Sequence, residues 1–371
     1  MIAFYISGHG FGHASRDIEV LDAVLDRRPD LARQDHAGVL VRTPAQRWLF
    51  DLTLRHAVRF EPAETDTGIA QIDSLHLDAA ESIRRAAAFY RDFDARAAAE
   101  ARYLRDVGAR LVIADIPPLA CRAAALADIP AVALGNFTWD WIYDGYPELL
   151  RDVPDLVPTI ARAYTTATLA LRLPMHGGFE SIRTVRDIPF VARRSRRDPG
   201  DVRAALRLPR ERRLVLLSFG GHGLQGLDFD RLDTAGRYTL LTTGEHGAER
   251  DGHVVRIDER GLYDSGLRYE DLVASSDVVV TKPGYGIISE CVANDTAMLY
   301  TSRGHFAEYD VLVERLPRVV RSRFISQEDL YAGAWRAHLD SLLDQPPPPE
   351  RPATNGADVA AGAILEMLDR L

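Results

Sequence analysis

Cysteine is nearly absent from this chain. Its 371 residues include two, Cys121 and Cys291, one in each half and neither in a Cys-x-x-Cys pair. That excludes a disulfide framework and a cysteine-built zinc cage. Long apolar runs are missing as well: none approaches the ~20 residues that span a bilayer. The opening stretch Met1-Ile2-Ala3-Phe4-Tyr5-Ile6 has neither the length nor the basic start of a secretion signal. The expectation is a cytoplasmic protein with no stable membrane insertion. Blocks of positive charge are also scarce. Net charge is −9, and the one basic run, Arg193-Arg194-Ser195-Arg196-Arg197, reads as a solvated linker, which argues against nucleic acid as a partner. What remains is an ordinary soluble composition, 46% hydrophobic and 27% charged, in a chain long enough for two domains.

The apolar pattern alternates between short strands and amphipathic helices. Residues 2–6 are a nearly all-apolar run, as in a strand buried on both faces. Ser7-Gly8-His9-Gly10-Phe11-Gly12-His13 follows as a glycine loop, and then a helix with Ile18, Leu21 and Leu25 on one face. Further strands are expected at 39–41, around Val58 and Phe60, at 111–114 and at 131–134. A helix is expected to start at Thr43-Pro44-Ala45-Gln46, with Thr43 as its cap. A long polar loop covers 61–78, and one alanine-rich helix is expected over 79–107. Residues 150–170 read as helical. Residues 173–199, rich in Gly, Pro and Arg, read as the segment between domains. The scheme then repeats, with strands at 214–217, 238–241, 253–257, 277–280 and 297–300. This division gives a first domain over 1–172, a connection over 173–199, a second domain over 200–350 and a C-terminal helix within 351–371 that can pack back on the first domain.

Strands alternating with helices imply two Rossmann-like domains with parallel sheets, and such sheets bind ligands beyond the carboxyl ends of their strands. His9, His13, Asp66, Asp115, Asn136 and Asp140 lie just past strand ends in the first half. In the second half Ser218-Phe219-Gly220-Gly221-His222-Gly223, Thr281-Lys282-Pro283-Gly284-Tyr285-Gly286 and Thr301-Ser302-Arg303-Gly304-His305 do the same. Two domains facing a central cleft bring these groups into one site. The turn at 282–286 opens a helix, where free backbone N–H groups make an anion site. Lys282 adds charge to it, and Glu290, one turn in, can accept two hydrogen bonds from a ribose diol.

Four stretches, Ser7-Gly8-His9-Gly10-Phe11-Gly12-His13, Thr67-Gly68-Ile69-Ala70-Gln71-Ile72-Asp73, Asn136-Phe137-Thr138-Trp139-Asp140 and Lys282-Pro283-Gly284-Tyr285-Gly286, carry a resemblance. The chain resembles GT-B fold glycosyltransferases, in particular the glycosyltransferase-like N-terminal region of L-arabinokinases. It is more distantly similar to the N-acetylglucosaminyltransferase that forms lipid II. No sugar-kinase activity is implied, because the resemblance stops where the kinase domain of those proteins begins.

The resemblance implies a nucleoside-diphosphate sugar, a UDP-sugar by preference, as donor and a hydroxyl compound as acceptor, with no cofactor and no metal. Gly12 and its loop would face the acceptor and the β-phosphate. Ser218, Gly220, Gly221, His222, Gly223, Lys282, Gly284, Tyr285 and Gly286 would hold the diphosphate, and Ser289 and Glu290 the nucleoside. His305 and Glu308 lie at the donor sugar, while His9, Asp66, Asp73, Asn136 and Asp140 lie towards sugar or acceptor. His13 is the expected general base, with Asp115 as an alternative base or as the group that orients it. A sugar-nucleotide hydrolase or epimerase on the same fold, and a non-catalytic sugar-nucleotide-binding module, are the alternatives.

Overall fold

The computed structural model describes residues 1–32, 38–220, 224, 226–234, 236–244 and 249–371. In the N-terminal half the strands are β1 (Ile2–Ile6), β2 (Val39–Thr43), β3 (Arg59–Pro62), β4 (Ala70–Gln71), β5 (Leu77–Asp78), β6 (Leu111–Asp115), β7 (Ala131–Phe137), β8 (Leu169–Gly177) and β9 (Val185–Asp187). β4 and β5 pair as a small antiparallel hairpin. The other seven form one parallel sheet in the order β3-β2-β1-β6-β7-β8-β9. The C-terminal half has β10 (Arg213–Ser218), β11 (Tyr238–Gly244), β12 (Glu249–Asp251), β13 (Val254–Asp258), β14 (Val278–Thr281), β15 (Ala297–Tyr300) and β16 (Ser322–Phe324). They form a second sheet, β12-β13-β11-β10-β14-β15-β16, parallel except for the edge strand β12. Central strands such as β1 and β14 are buried along their whole length, which is why they read as unbroken apolar runs.

Each sheet reverses its strand order once, between β1 and β6 in the first and between β10 and β14 in the second. A crevice opens at such a reversal, because the crossover helices leave in opposite directions. Ile6 is in register with Asp115, and Ser218 with Thr281. The two crevices therefore start at the residues that the strand pattern marks. The last helix, Gly356–Asp369, packs on the helix Gly10–Arg27 and buries Ala360, Ile364 and Leu368. Among the described residues no helix is long and apolar enough to cross a membrane.

Four local expectations change. The helix after β2 starts at Arg47, not at Thr43. Thr43 still belongs to β2, and its hydroxyl accepts the Ala45 N–H at 3.0 Å, which turns the chain before a helix can begin. The alanine-rich helix is two helices, Ala79–Arg91 and Phe93–Asp106. Asp92 leaves the helical region at φ −108° and ψ 28°, and Phe93 turns inward to pack 5.0 Å from the Tyr90 ring. Only Leu156–Tyr164 is helical in the core of the 150–170 stretch, and β8 begins at Leu169. Residues 173–187 carry the end of β8 and all of β9, so they complete the first sheet. Pro174 and the glycines at 177 and 178 had disguised a strand whose Leu169, Leu171 and Leu173 are buried.

Candidate active site

The helix Gly10–Arg27 begins inside the glycine stretch, so Gly10, Gly12 and His13 form its first turn and do not precede it. Gly10 adopts φ +70°, a conformation only glycine takes without strain. His13 and Arg16 then stand three residues apart on one helical face, turned towards the end of β6. The His13 Nδ1 lies 2.7 Å from Asp115 Oδ1. Arg16 donates to both oxygens of Asp115 through Nε and Nη2, and its Nη1 donates to Asn136 Oδ1 at 2.9 Å. Asp115 is fully buried. Burial by itself pushes its carboxyl up, but Arg16 and then His13 outweigh that and hold it well below the usual carboxylate range. His13 Nδ1 also lies 2.9 Å from Arg16 Nη2, which can only donate; the shorter contact to the ionised Asp115 favours the tautomer in which Nδ1–H donates and Nε2 keeps a lone pair.

The second crevice supplies the other wall. Gly284 caps the helix Tyr285–Asn294, and a Cβ placed on Gly286 would lie 3.5 Å from Gly12 Cα. The two glycine segments therefore face one another. At Gly10, Gly12, Gly220 and Gly284 an added Cβ meets nothing within 4 Å, so these backbones border open space. Arg16 also reaches across the gap, its guanidinium 5.6 Å from the Tyr285 ring, which stacks on Phe190. Asn136 Nδ2 donates to Glu308 Oε1 at 2.8 Å. A buried chain of polar contacts thus runs His13–Asp115–Arg16–Asn136–Glu308 from one half to the other.

Lys282 is the one lysine in the sequence. It is half-buried, and burial, followed by the nearby Arg303 charge, lowers its pKa to about 8. Reductive methylation with 13C-formaldehyde should give one lysine dimethylamine resonance that titrates near about pH 8. A midpoint in the ordinary lysine range would place this amine in bulk solvent. The unfolded chain binds this proton more tightly than the folded one. Stability is therefore expected to rise as pH climbs from about 8 towards the ~10.4 of an unfolded lysine.

Other expected residues lie elsewhere or are already engaged. Asp66 is buried and accepts from Ser7 Oγ at 3.1 Å and Trp139 Nε1 at 2.9 Å; burial raises its pKa to about 6. Both its oxygens anchor the loop to the core. Asp73 is spent on its own turn, accepting from Leu75 N and His76 N. Asp140 accepts from Ser181 Oγ at 2.8 Å. Ser218 Oγ accepts from Tyr269 Oη at 2.6 Å, and Ser289 Oγ donates to Gly286 O at 2.8 Å. Glu290 is buried and ion-paired through Oε1 with Arg193, while its Oε2 meets no donor among the described residues. His9 is half-buried with its ring 5.7 Å from that of Trp139. Burial, then His13, Arg303 and Lys282, push its pKa well down, so it stays neutral. His305 sits on the rim, Nε2 3.1 Å from Gly145 O. Beside it a cavity of about 440 Å³ lies between the β4–β5 hairpin and the loop after β15, walled by Ile72, His76, Tyr146 and His305. Gly221, His222 and Gly223 lie outside the described residues. Among the described residues no three His, Cys, Asp or Glu side chains converge as a metal centre would require. Arg16 and Arg303 were not picked out as site residues from the sequence, and Arg193, read there as part of a solvated linker, is instead half-buried and ion-paired with Glu290; the one signal for Arg16 is its place a single helical turn after His13.

No family model matches the chain. In sequence it is similar to an L-arabinokinase of Arabidopsis thaliana, 28% identical over 376 residues, a match that covers 99% of this chain and 34% of that protein. The chain thus spans about a third of that relative. In structure it is similar to the glycotransferase of kitacinnamycin, with a TM-score of 0.61 at 16% identity, covering 100% of this chain and 98% of the other. It is also similar to Acinetobacter baumannii MurG, with a TM-score of 0.51 at 12% identity, covering 100% and 99%. A third match is S. aureus MnaA in complex with UDP, with a TM-score of 0.56 at 10% identity, covering 100% and 97%. The chain is a GT-B fold protein, two Rossmann-like halves around a central cleft.

Proposed function

We propose that the chain is a metal-independent, inverting glycosyltransferase that moves a sugar from a nucleoside-diphosphate donor, a UDP-sugar, to a hydroxyl acceptor. The observation that carries this reading is the placement of the His13–Asp115 pair at one crevice against the Gly284–Gly286 turn at the other. A base and an anion cradle then face the same gap. His13 Nε2 takes the proton of the acceptor hydroxyl as that oxygen attacks the anomeric carbon, and Asp115 stabilises the imidazolium that forms. The bond to the diphosphate breaks on the opposite face, so the anomeric centre inverts. The charge that develops on the leaving diphosphate is met by the backbone N–H groups that open the helix Tyr285–Asn294 and by Lys282. Glu290 Oε2, which meets no donor among the described residues, is the acceptor offered to the ribose diol. The UDP preference is supported by the fold match to a UDP complex.

Calorimetric titration with UDP, GDP and dTDP tests the premise. UDP is expected to bind tightest, and a Glu290→Ala chain should bind it at least about tenfold more weakly, the loss of one charged hydrogen bond. Failure of every nucleotide to bind removes the reading altogether. Binding with release of free sugar in the absence of any acceptor would mark a hydrolase.

A further inference from the structure

Arg303 is nine-tenths buried, yet its guanidinium is poorly matched. Its Nη1 donates to Pro283 O at 3.3 Å and stands 3.7 Å from Glu308 Oε2, too far for a hydrogen bond. Its plane packs on the Phe306 ring, 4.3 Å away. Nε is buried and meets no acceptor, and among the described residues Nη2 makes no hydrogen bond either. Nε and Nη2 form the edge of a guanidinium that takes a carboxylate with two parallel bonds. A buried N–H without a partner is destabilising, so its retention calls for a ligand.

The charge around this edge points the same way. The Arg303 charge reaches Lys282, which makes no side-chain hydrogen bond among the described residues. Glu308, the acid beside Arg303, already accepts from Asn136 at 2.8 Å, and Asp73, the acid whose charge reaches Lys282, is engaged by its own turn. Neither carboxylate is fully available to the two cations. The glycine turn and Lys282 account for a diphosphate. Arg303 sits on the loop after β15 and donates to Pro283 O of the turn assigned above to the diphosphate, so a sugar carried on that diphosphate comes within its reach.

We propose that Arg303 is the hook for a carboxylate on the donor sugar, so that the sugar transferred is a uronic acid. This inference rests on the glycosyl-transfer reading but can fail alone. Calorimetric titration of the full chain with UDP, UDP-glucose and UDP-glucuronate, repeated with UDP-galacturonate, separates the two. The expected result is at least tenfold tighter binding of one uronate over its neutral hexose counterpart. In Arg303→Gln that preference disappears while UDP binds as before, and in Arg303→Lys part of it returns. Equal binding of uronate and neutral sugar by the wild-type chain overturns the proposal whatever the variants do, and leaves the transferase reading intact. An equal loss for UDP, UDP-glucose and UDP-glucuronate in Arg303→Gln assigns Arg303 to the diphosphate and overturns it too. If UDP itself does not bind, the transferase reading falls first.

Discussion

An Asp115→Ala chain is expected to lose about 3–5 kcal/mol of stability, together with its turnover. Asp115 is fully buried and accepts from Arg16 through two nitrogens and from His13 through a third. Its removal leaves the Arg16 guanidinium buried without its counter-charge, with Asn136 as a neutral partner. The cost is that stranded charge and not the net worth of the ion pair, which a well-packed apolar replacement of the whole cluster could match. Urea denaturation followed by circular dichroism reads the difference. The sign with pH follows from the depressed carboxyl. Its contribution is present above the unfolded value near 3.9 and is lost as pH falls through the folded value. The gap between wild type and Asp115→Ala should therefore narrow in strong acid. Asp115→Asn keeps the shape but offers Arg16 one neutral oxygen, so it should fall between the two in stability while lacking the charge that orients His13. A variant within 1 kcal/mol of wild type at neutral pH would show that Arg16 finds relief elsewhere.

The pattern of the site was legible where it depends on neighbours in sequence. Glycine segments after apolar strands point to crevices because a parallel sheet places every strand end on one side. His13 and Asp115 stood out for that reason, and they do meet. Arg16 did not, because its partner is 99 residues away and an arginine on a helix is usually solvated. Helical spacing says which residues share a face with His13, but not that the face is turned to β6. Glu308 and Asn136 were each placed near the sugar, yet their bond to one another joins residues 172 apart and follows only from how the two halves close. The surroundings of Asp66 were not legible either. A carboxylate in a polar loop looks free, and nothing local announces that Ser7 and Trp139 will take both oxygens. The strand at 169–177 was hidden by Pro174, since proline in a strand normally marks an edge, whereas here the neighbouring β9 ends before that position.

Replacing His13 by alanine is expected to cut kcat by about 10²–10⁴ while UDP binding changes less than threefold. The split follows from geometry. In the function proposed above, His13 acts through Nε2 on the acceptor, and the nucleotide is assigned to Lys282, Gly284 and Glu290 across the gap. The packing loss is small, because the ring is held at Nδ1 by Asp115 and lies edge-on to Phe137 with centroids 5.6 Å apart. His13→Gln is the more informative variant. It can keep a hydrogen bond to Asp115, and so holds the Arg16 cluster together, but it cannot take a proton. If His13 serves only to complete that cluster, glutamine restores most of the rate lost in alanine. If it is the base, both variants are equally slow. Added imidazole should then restore part of the rate to His13→Ala and none to His13→Gln, whose side chain fills the space. Normal turnover in His13→Gln would remove His13 from the chemistry and leave the cleft without a base on this wall, since Asp115 is too deeply paired to take the acceptor proton.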